Sequence, residues 1–229
     1  MRAPGRLRGR VFNLRGPLKR VVAFIDGYNV YHSVVELGHE ANYLKWINLQ
    51  SLVKALIHPT KDTLSSVEYF SADAHWNPKD KKKRHTDYIL ALEHVGVRTH
   101  IGAFKKVTKF CTKCGKSYKA FEENGTDVAI AAKMVQFAHE NRFDKALLFS
   151  ADSDLVPIVT SILESHPEKE IYIVTTSSRI RFAKKLRAVA TGFIEIDKEN
   201  FQKNLLDKEI VAEGKTVTRP TVYDPPPTR

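Results

Sequence analysis

The stretch that most restricts this chain is Ala146-Leu147-Leu148-Phe149-Ser150-Ala151-Asp152-Ser153-Asp154-Leu155-Val156-Pro157. Its unbroken apolar run is too short for a helix and suits a strand covered on both faces. Asp152, Ser153 and Asp154 are all residue types that cap helix N-termini. Pro157 follows in the first turn, where a missing backbone N–H does least damage. The stretch is therefore predicted to be a buried strand that ends in a turn bearing two carboxylates and then opens a helix. Open α/β sheets place their chemistry at that end of the strand.

The same grammar recurs along the chain. Val21-Val22-Ala23-Phe24-Ile25 reads as a strand ending at Asp26-Gly27-Tyr28-Asn29, where Gly27 permits a tight turn before a helix with Val30, Tyr31, Val34, Val35 and Leu37 on one side. Further strands are expected at 67–70, 97–104, 170–175 and 192–196, and helices at 48–57, 82–95, 126–141 and 178–187. Residues 105–125 are long and polar, and no strand or helix is assigned to them. Strands alternating with helices argue for βαβ units and a mostly parallel sheet. The chain divides into a basic segment 1–19, a folded domain 20–198 and an extension 199–229; residues 201–229, with Pro220 and Pro225–Pro227, read as extended or disordered.

Charge narrows the partners. The net charge is +11, from 37 basic and 26 acidic residues. Residues 1–20 hold seven basic groups and no acid, leaving 30 against 26 elsewhere, a net of +4. A basic arm of this kind suits a polyanion such as nucleic acid, or is simply a solvated leader. No apolar run is long enough to span a membrane. Two cysteines make no disulfide framework, so a reducing compartment, the cytoplasm, is expected.

The acids carry the chemistry. Right-handed crossovers put every strand-to-helix loop on one edge of the sheet. Asp26, Asp127, Asp152 and Asp154, from three remote segments, are therefore expected to converge there. Each Asp taken alone reads equally as a cap or turn residue. Unit charges about 4 Å apart repel by roughly 4 kcal/mol at an effective dielectric near 20. A hard divalent cation relieves that repulsion, and carboxylates with water are the ligand set of Mg²⁺ or Mn²⁺. Such a site can activate water against a phosphodiester. A haloacid-dehalogenase-type phosphatase also uses strand-end acids, but it expects Asp-x-Asp after the first strand, where this chain has Asp26-Gly27-Tyr28.

Three blocks carry a resemblance: Phe24-Ile25-Asp26-Gly27-Tyr28-Asn29, Glu122-Glu123-Asn124-Gly125-Thr126-Asp127-Val128 and Ser150-Ala151-Asp152-Ser153-Asp154-Leu155. In order and spacing they resemble the NYN domain family, the LabA-like branch of the PIN-like ribonucleases, over about residues 20–197. The resemblance implies a Rossmann-like, PIN-like three-layer α/β/α fold, a Mg²⁺ or Mn²⁺ site and action on RNA. By position it makes Asp26, Asp127, Asp152 and Asp154 the metal-site acids, with Asn29 orienting water or phosphate. Asn124 stands where the family often has Lys, and Ala151 where it often has Gly or Asn. Neither change removes a carboxylate. The alternative is an RNA-binding or regulatory module on the same fold that does not cleave.

Contacts to RNA are expected from the loop after Phe70. It carries Trp76 with Lys81, Lys82, Lys83 and Arg84, aromatic and basic groups suited to single strands. Tyr28 beside the acids either stacks on a base or packs on the sheet edge. Ser177 and Arg179 follow a strand and offer a phosphate cradle, or Ser177 simply caps a helix. Glu123 is either an outer-shell base or an acid placed for the helix dipole. Cys111 and Cys114 have the spacing of a zinc knuckle, which needs further ligands from a histidine or a second chain, or they are free thiols. The oligomeric state is left open, a homodimer included.

Overall fold

The computed structural model describes residues 17–73, 79–212 and 214–227. Seven strands form one sheet: β1 (Lys19–Asp26), β2 (Asp62–Asp73), β3 (Arg98–Phe110), β4 (Ser117–Asn124), β5 (Lys145–Phe149), β6 (Glu170–Thr176) and β7 (Gly192–Ile196). Their spatial order is β4-β3-β2-β1-β5-β6-β7. Six of them, β3 to β7 across β1, run parallel, and only the β3–β4 pairing is antiparallel. The helices are α1 (Gly27–Val35), α2 (Leu49–Leu56), α3 (Lys79–His94), α4 (Thr126–His139), α5 (Val156–Ser165), α6 (Lys184–Val189) and α7 (Lys198–Gln202).

β1 explains the layering. Successive strand side chains point to opposite faces. Val21, Ala23 and Ile25 enter one core with α1, α2, α3 and α7; Val22 and Phe24 enter a second core with α4, α5 and α6. An apolar run without alternation is what a strand covered on both faces requires. The result is the α/β fold with a parallel sheet between helical layers that the alternation of elements predicted.

Two segments differ from the sequence reading. Residues 105–125 are not irregular: they form the distal part of β3, a turn and β4. Lysines alternate irregularly with isolated apolar residues along this ribbon, and both its faces carry exposed residues, so it lacks the apolar periodicity by which a strand is read. The chain beyond residue 198 also folds back onto the domain. Phe201, Leu206 and a hairpin of β8 (Glu209–Ala212) and β9 (Lys215–Thr218) bury Ile210, Ala212 and Val217 in the first core. The Trp46 indole N–H donates to the Asp207 carbonyl at 3.0 Å. Extended or disordered chain is therefore the wrong description of 201–218; the apolar positions are few, but each fills a gap beside α2 and α3.

The order of strands reverses between β1 and β5. Connections from β1 lead outward through β2 and β3, and those from β5 lead the other way through β6 and β7. A crevice opens at the carboxyl ends of two such strands, because their following helices lie on opposite faces. Asp26 ends β1, and Asp152 and Asp154 follow β5 directly.

One close approach holds this corner. A Cβ at Gly27 would lie 2.5 Å from the Tyr69 hydroxyl oxygen and 2.8 Å from the Phe70 carbonyl oxygen. The absence of a side chain lets α1 start immediately after Asp26, against the end of β2. Gly27→Ala is expected to cost about 1–3 kcal/mol through overpacking, read as a lower urea midpoint with an unchanged slope.

Candidate metal centre and nucleic-acid groove

Asp26 is 4% exposed and caps α1. Its Oδ1 accepts from the backbone N–H of Tyr28 at 2.9 Å and of Asn29 at 3.1 Å. Its Oδ2 accepts from the Asn29 side-chain amide. Asn29 also ties the loops together: its Oδ1 accepts from the Ala151 N–H at 3.2 Å and from Arg179 Nη2 at 3.1 Å. Ser150, buried at 1%, lies 3.5 Å from Asp26 Oδ2 and accepts from the Asp152 N–H at 3.1 Å. Asp152 in turn accepts from the Asp154 N–H at 2.9 Å. The turns after β1 and β5 are thus one hydrogen-bonded unit, and the acids are fixed relative to each other by backbone donors.

Asp127 reaches the same place from α4, on which it occupies the first turn. Gly125, at φ +85°, turns the chain from β4 into that helix. The Asp127 carboxyl is half-buried and is pushed up to about 6, first by burial and then by the charges of Asp152, Asp26 and Asp154. Four carboxylates from three segments are within electrostatic reach of one another. Asp127 and Asp154 accept no side-chain hydrogen bond among the described residues, and Asp154 is exposed.

The acids converge without forming a closed chelate. Among the described residues no three Asp, Glu, His or Cys side chains surround one point. That arrangement fits a cation that keeps much of its water. Mg²⁺ takes one or two carboxylates directly and retains several waters. The raised Asp127 carboxyl supplies the electrostatic reason for a cation, since oxygen donors under mutual repulsion are what a hard divalent ion relieves.

A groove of about 710 Å³ opens beside the turn after Asp26, with Gly27 and Tyr28 in its lining and none of the four acids. Tyr31 and Lys45 also line it, and Lys81, Lys82 and Arg84 from the start of α3 form part of its wall. The Lys45 ammonium sits 4.6 Å from the centre of the Tyr31 ring. Tyr28 is 56% exposed and meets His32 edge to face. Lys83 does not join this wall; it pairs with Asp87 one helical turn on at 2.6 Å. Trp76, and His75 beside it, fall outside the described residues, and so does the side chain of Glu123.

Two expected phosphate contacts are engaged with carboxylates of the protein itself. Arg179 is 16% exposed at its side chain and divides its guanidinium between Glu36, at 2.7 Å, and Asn29. The Ser177 hydroxyl donates to Glu195. Arg179 therefore stands behind Asn29. Its part, and that of Ser150, was not visible in the sequence: a hydroxyl between an apolar strand and an acidic turn is the one local hint. Cys111 and Cys114 lie at the β3–β4 tip. The Cys111 thiol is drawn below its usual range chiefly by the backbone N–H of Cys114. Both are free cysteines, and among the described residues no third His, Cys, Asp or Glu joins them in a group that could hold a metal ion.

Comparison with known proteins agrees with this architecture. A crystal structure of a protein of unknown function from Vibrio parahaemolyticus is similar, with a TM-score of 0.53 and 20% identity over 82% of this chain and 97% of that one. At that identity the likeness speaks to fold. Comparison with curated proteins gives no match. No described helix is long and apolar enough to cross a membrane. The NYN domain matches residues 20–197, from the first residues of β1 to the end of β7, and with them every acid of the crevice. On that match the chain belongs to the NYN domain family, a family of PIN-like nucleases.

Proposed function

We propose that this protein is a metal-dependent ribonuclease that hydrolyses phosphodiester bonds in single-stranded RNA at the crevice between β1 and β5. The observation that carries the reading is the placement of Asp26, Asp152 and Asp154 at the carboxyl ends of β1 and β5, with Asp127 of α4 near enough to all three for their charges to raise its carboxyl.

Asp26, Asp127, Asp152 and Asp154 are the groups that would hold Mg²⁺ or Mn²⁺. Bound there, the ion would supply a nucleophilic water and neutralise charge on the phosphodiester. The protein's own part is positioning. Asn29, held between Asp26, Ala151 and Arg179, fixes the orientation of the Asp26 carboxylate. Arg179 fixes Asn29. Tyr28 offers a ring face beside the acids, and Lys81, Lys82 and Arg84 offer charge for the phosphates of a strand lying in the groove.

Incubation of the purified protein with a mixed RNA ladder, with and without Mn²⁺, tests the reading beside an Asp154→Asn control. Asp154 is exposed and spends no side-chain hydrogen bond on the fold, so the control should keep its structure and lose cleavage. Cutting that persists in the control, or that needs no divalent ion, would remove the proposal. Salt-sensitive RNA binding without turnover in any divalent metal would establish the non-cleaving RNA-binding module instead.

A further inference from the structure

Two stretches account for the net positive charge of this protein. Seven of the 37 basic residues lie in residues 1–20, and six, all lysine, in residues 105–119; neither stretch holds an acid. Taking both away leaves 24 basic against 26 acidic residues. The rest of the chain carries a net charge of −2, so its attraction for a polyanion is local, as at Lys81, Lys82 and Arg84.

Residues 105–119 belong to the β3–β4 ribbon, which leaves the sheet. Among the described residues β3 pairs with β2 as far as Asp73 and Ala103, and beyond that with β4. From Ala103 to Phe110, at about 3.4 Å per residue, the ribbon projects roughly 20–25 Å. β3 runs parallel to β1 through β2, with Asp26 level with Phe70 and Phe70 with His100. The ribbon therefore extends past the edge on which Asp26 ends.

Lysines alone on an outer strand would be explained as protection against edge-to-edge aggregation. Exposed rings are not. Phe110 is 65% and Tyr118 52% exposed. Register places Lys106, Phe110 and Lys119 on one face of the ribbon, and Lys109 and Tyr118 on the other. The tip is built, with Gly115 at φ +67°, its N–H donating to the Cys111 carbonyl at 2.9 Å and the Cys111 N–H to the Lys116 carbonyl at 2.9 Å. It presents Lys113 and Lys116 on a closed turn.

We propose that the β3–β4 ribbon is a second binding surface for single-stranded RNA, which stacks unpaired bases on Phe110 and Tyr118 and holds phosphates with the ribbon lysines. Stacking is open to any base because each has a π face, and the lysines track the backbone without reading sequence. The ribbon thereby carries bound RNA beyond the crevice and selects against duplexes, whose bases are not free to stack. The inference rests on the nuclease reading only for where the strand leads; binding at the ribbon needs no cleavage.

Binding of a short, unstructured, labelled RNA to the full chain in chelator, followed by fluorescence anisotropy over a salt series, tests it. Lys113→Ala/Lys116→Ala/Lys119→Ala should weaken binding at least about tenfold at moderate salt and flatten the logarithmic salt dependence by roughly 0.7 for each phosphate no longer neutralised. Phe110→Ala/Tyr118→Ala should weaken binding by about fivefold or more for each stacked base, with the salt slope kept. All five positions are exposed, so thermal melting should match the parent. Unchanged affinity and slope in both variants, or equal affinity for a blunt duplex, would overturn the proposal. Ribbon-dependent binding by a protein that never cleaves would remove the nuclease reading and leave this one standing; cleavage that ignores the ribbon variants would do the reverse.

Discussion

Asp127→Asn is expected to raise the melting temperature of the metal-free protein near neutral pH by about 2–8 °C while abolishing metal-dependent cleavage. The stability gain follows from the direction of the shift. The folded-state carboxyl titrates at about 6, above its ordinary 3.8, so folding favours the protonated form. That contribution is present in full below pH 4 and is lost as the pH rises through 6, where burying the ionised group beside other carboxylates becomes a cost. Two pH units correspond to about 3 kcal/mol at most, and solvent screening at a half-buried site reduces this to about 1–2 kcal/mol. Asparagine removes the cost, and the gain over wild type should therefore appear above pH 6 and fade below pH 4. Mn²⁺ should stabilise the wild type by relieving the same repulsion, and that increment should be smaller in the variant. Calorimetric scans across pH, with and without Mn²⁺, measure all three. A variant less stable than wild type at neutral pH would show that the Asp127 carboxylate is held by favourable partners and not by repulsion.

Asp26→Asn is expected to lower cleavage by roughly a thousandfold, the equivalent of about 4 kcal/mol of transition-state stabilisation at a metal-assisted site. Its effect on stability should be about 1–2 kcal/mol, because the new amide NH2 cannot accept from the Asn29 side chain as Oδ2 does, while the helix cap survives for a local reason. Oδ1 of Asp26 caps α1 through the Tyr28 and Asn29 N–H groups, and asparagine keeps that acceptor. Alanine would leave both donors without it, at about 1 kcal/mol. Comparing the two substitutions separates the charge from the cap. The asparagine variant also removes one of the charges that raise Asp127, so its residual activity should lose less on acidification than that of the wild type. Loss of activity that tracks loss of folding in both variants would assign Asp26 to structure alone.

How far the chain could be read in advance depended on how local each signal was. β1 and β5 were legible because an apolar run that stops at an acid and a turn residue is complete within a few positions. Asp26, Asp152 and Asp154 then had to lie at strand ends, whatever surrounded them. Ser150 was not legible as part of the site, and Arg179 was legible only as a phosphate contact and not as the support of Asn29, because both act by reaching Asp26 and Asn29 across gaps of more than a hundred residues. Lys83 looked like its neighbours Lys82 and Arg84, and only the helical phase of α3 turns it toward Asp87.

The sequence alone settled the alternation of strands and helices, hence a parallel sheet with its acids at one edge, because burial on both faces demands unbroken apolar runs and parallel crossovers demand intervening helices. Tertiary structure decided the rest: that β3 and β4 leave the sheet as a lysine-rich ribbon, that Ile210 and Val217 return a polar tail to the core, and that Asp127 meets the other acids closely enough to change its proton affinity. Those are matters of distance between remote segments, and Coulomb repulsion and packing act on distances that no local pattern of residues encodes.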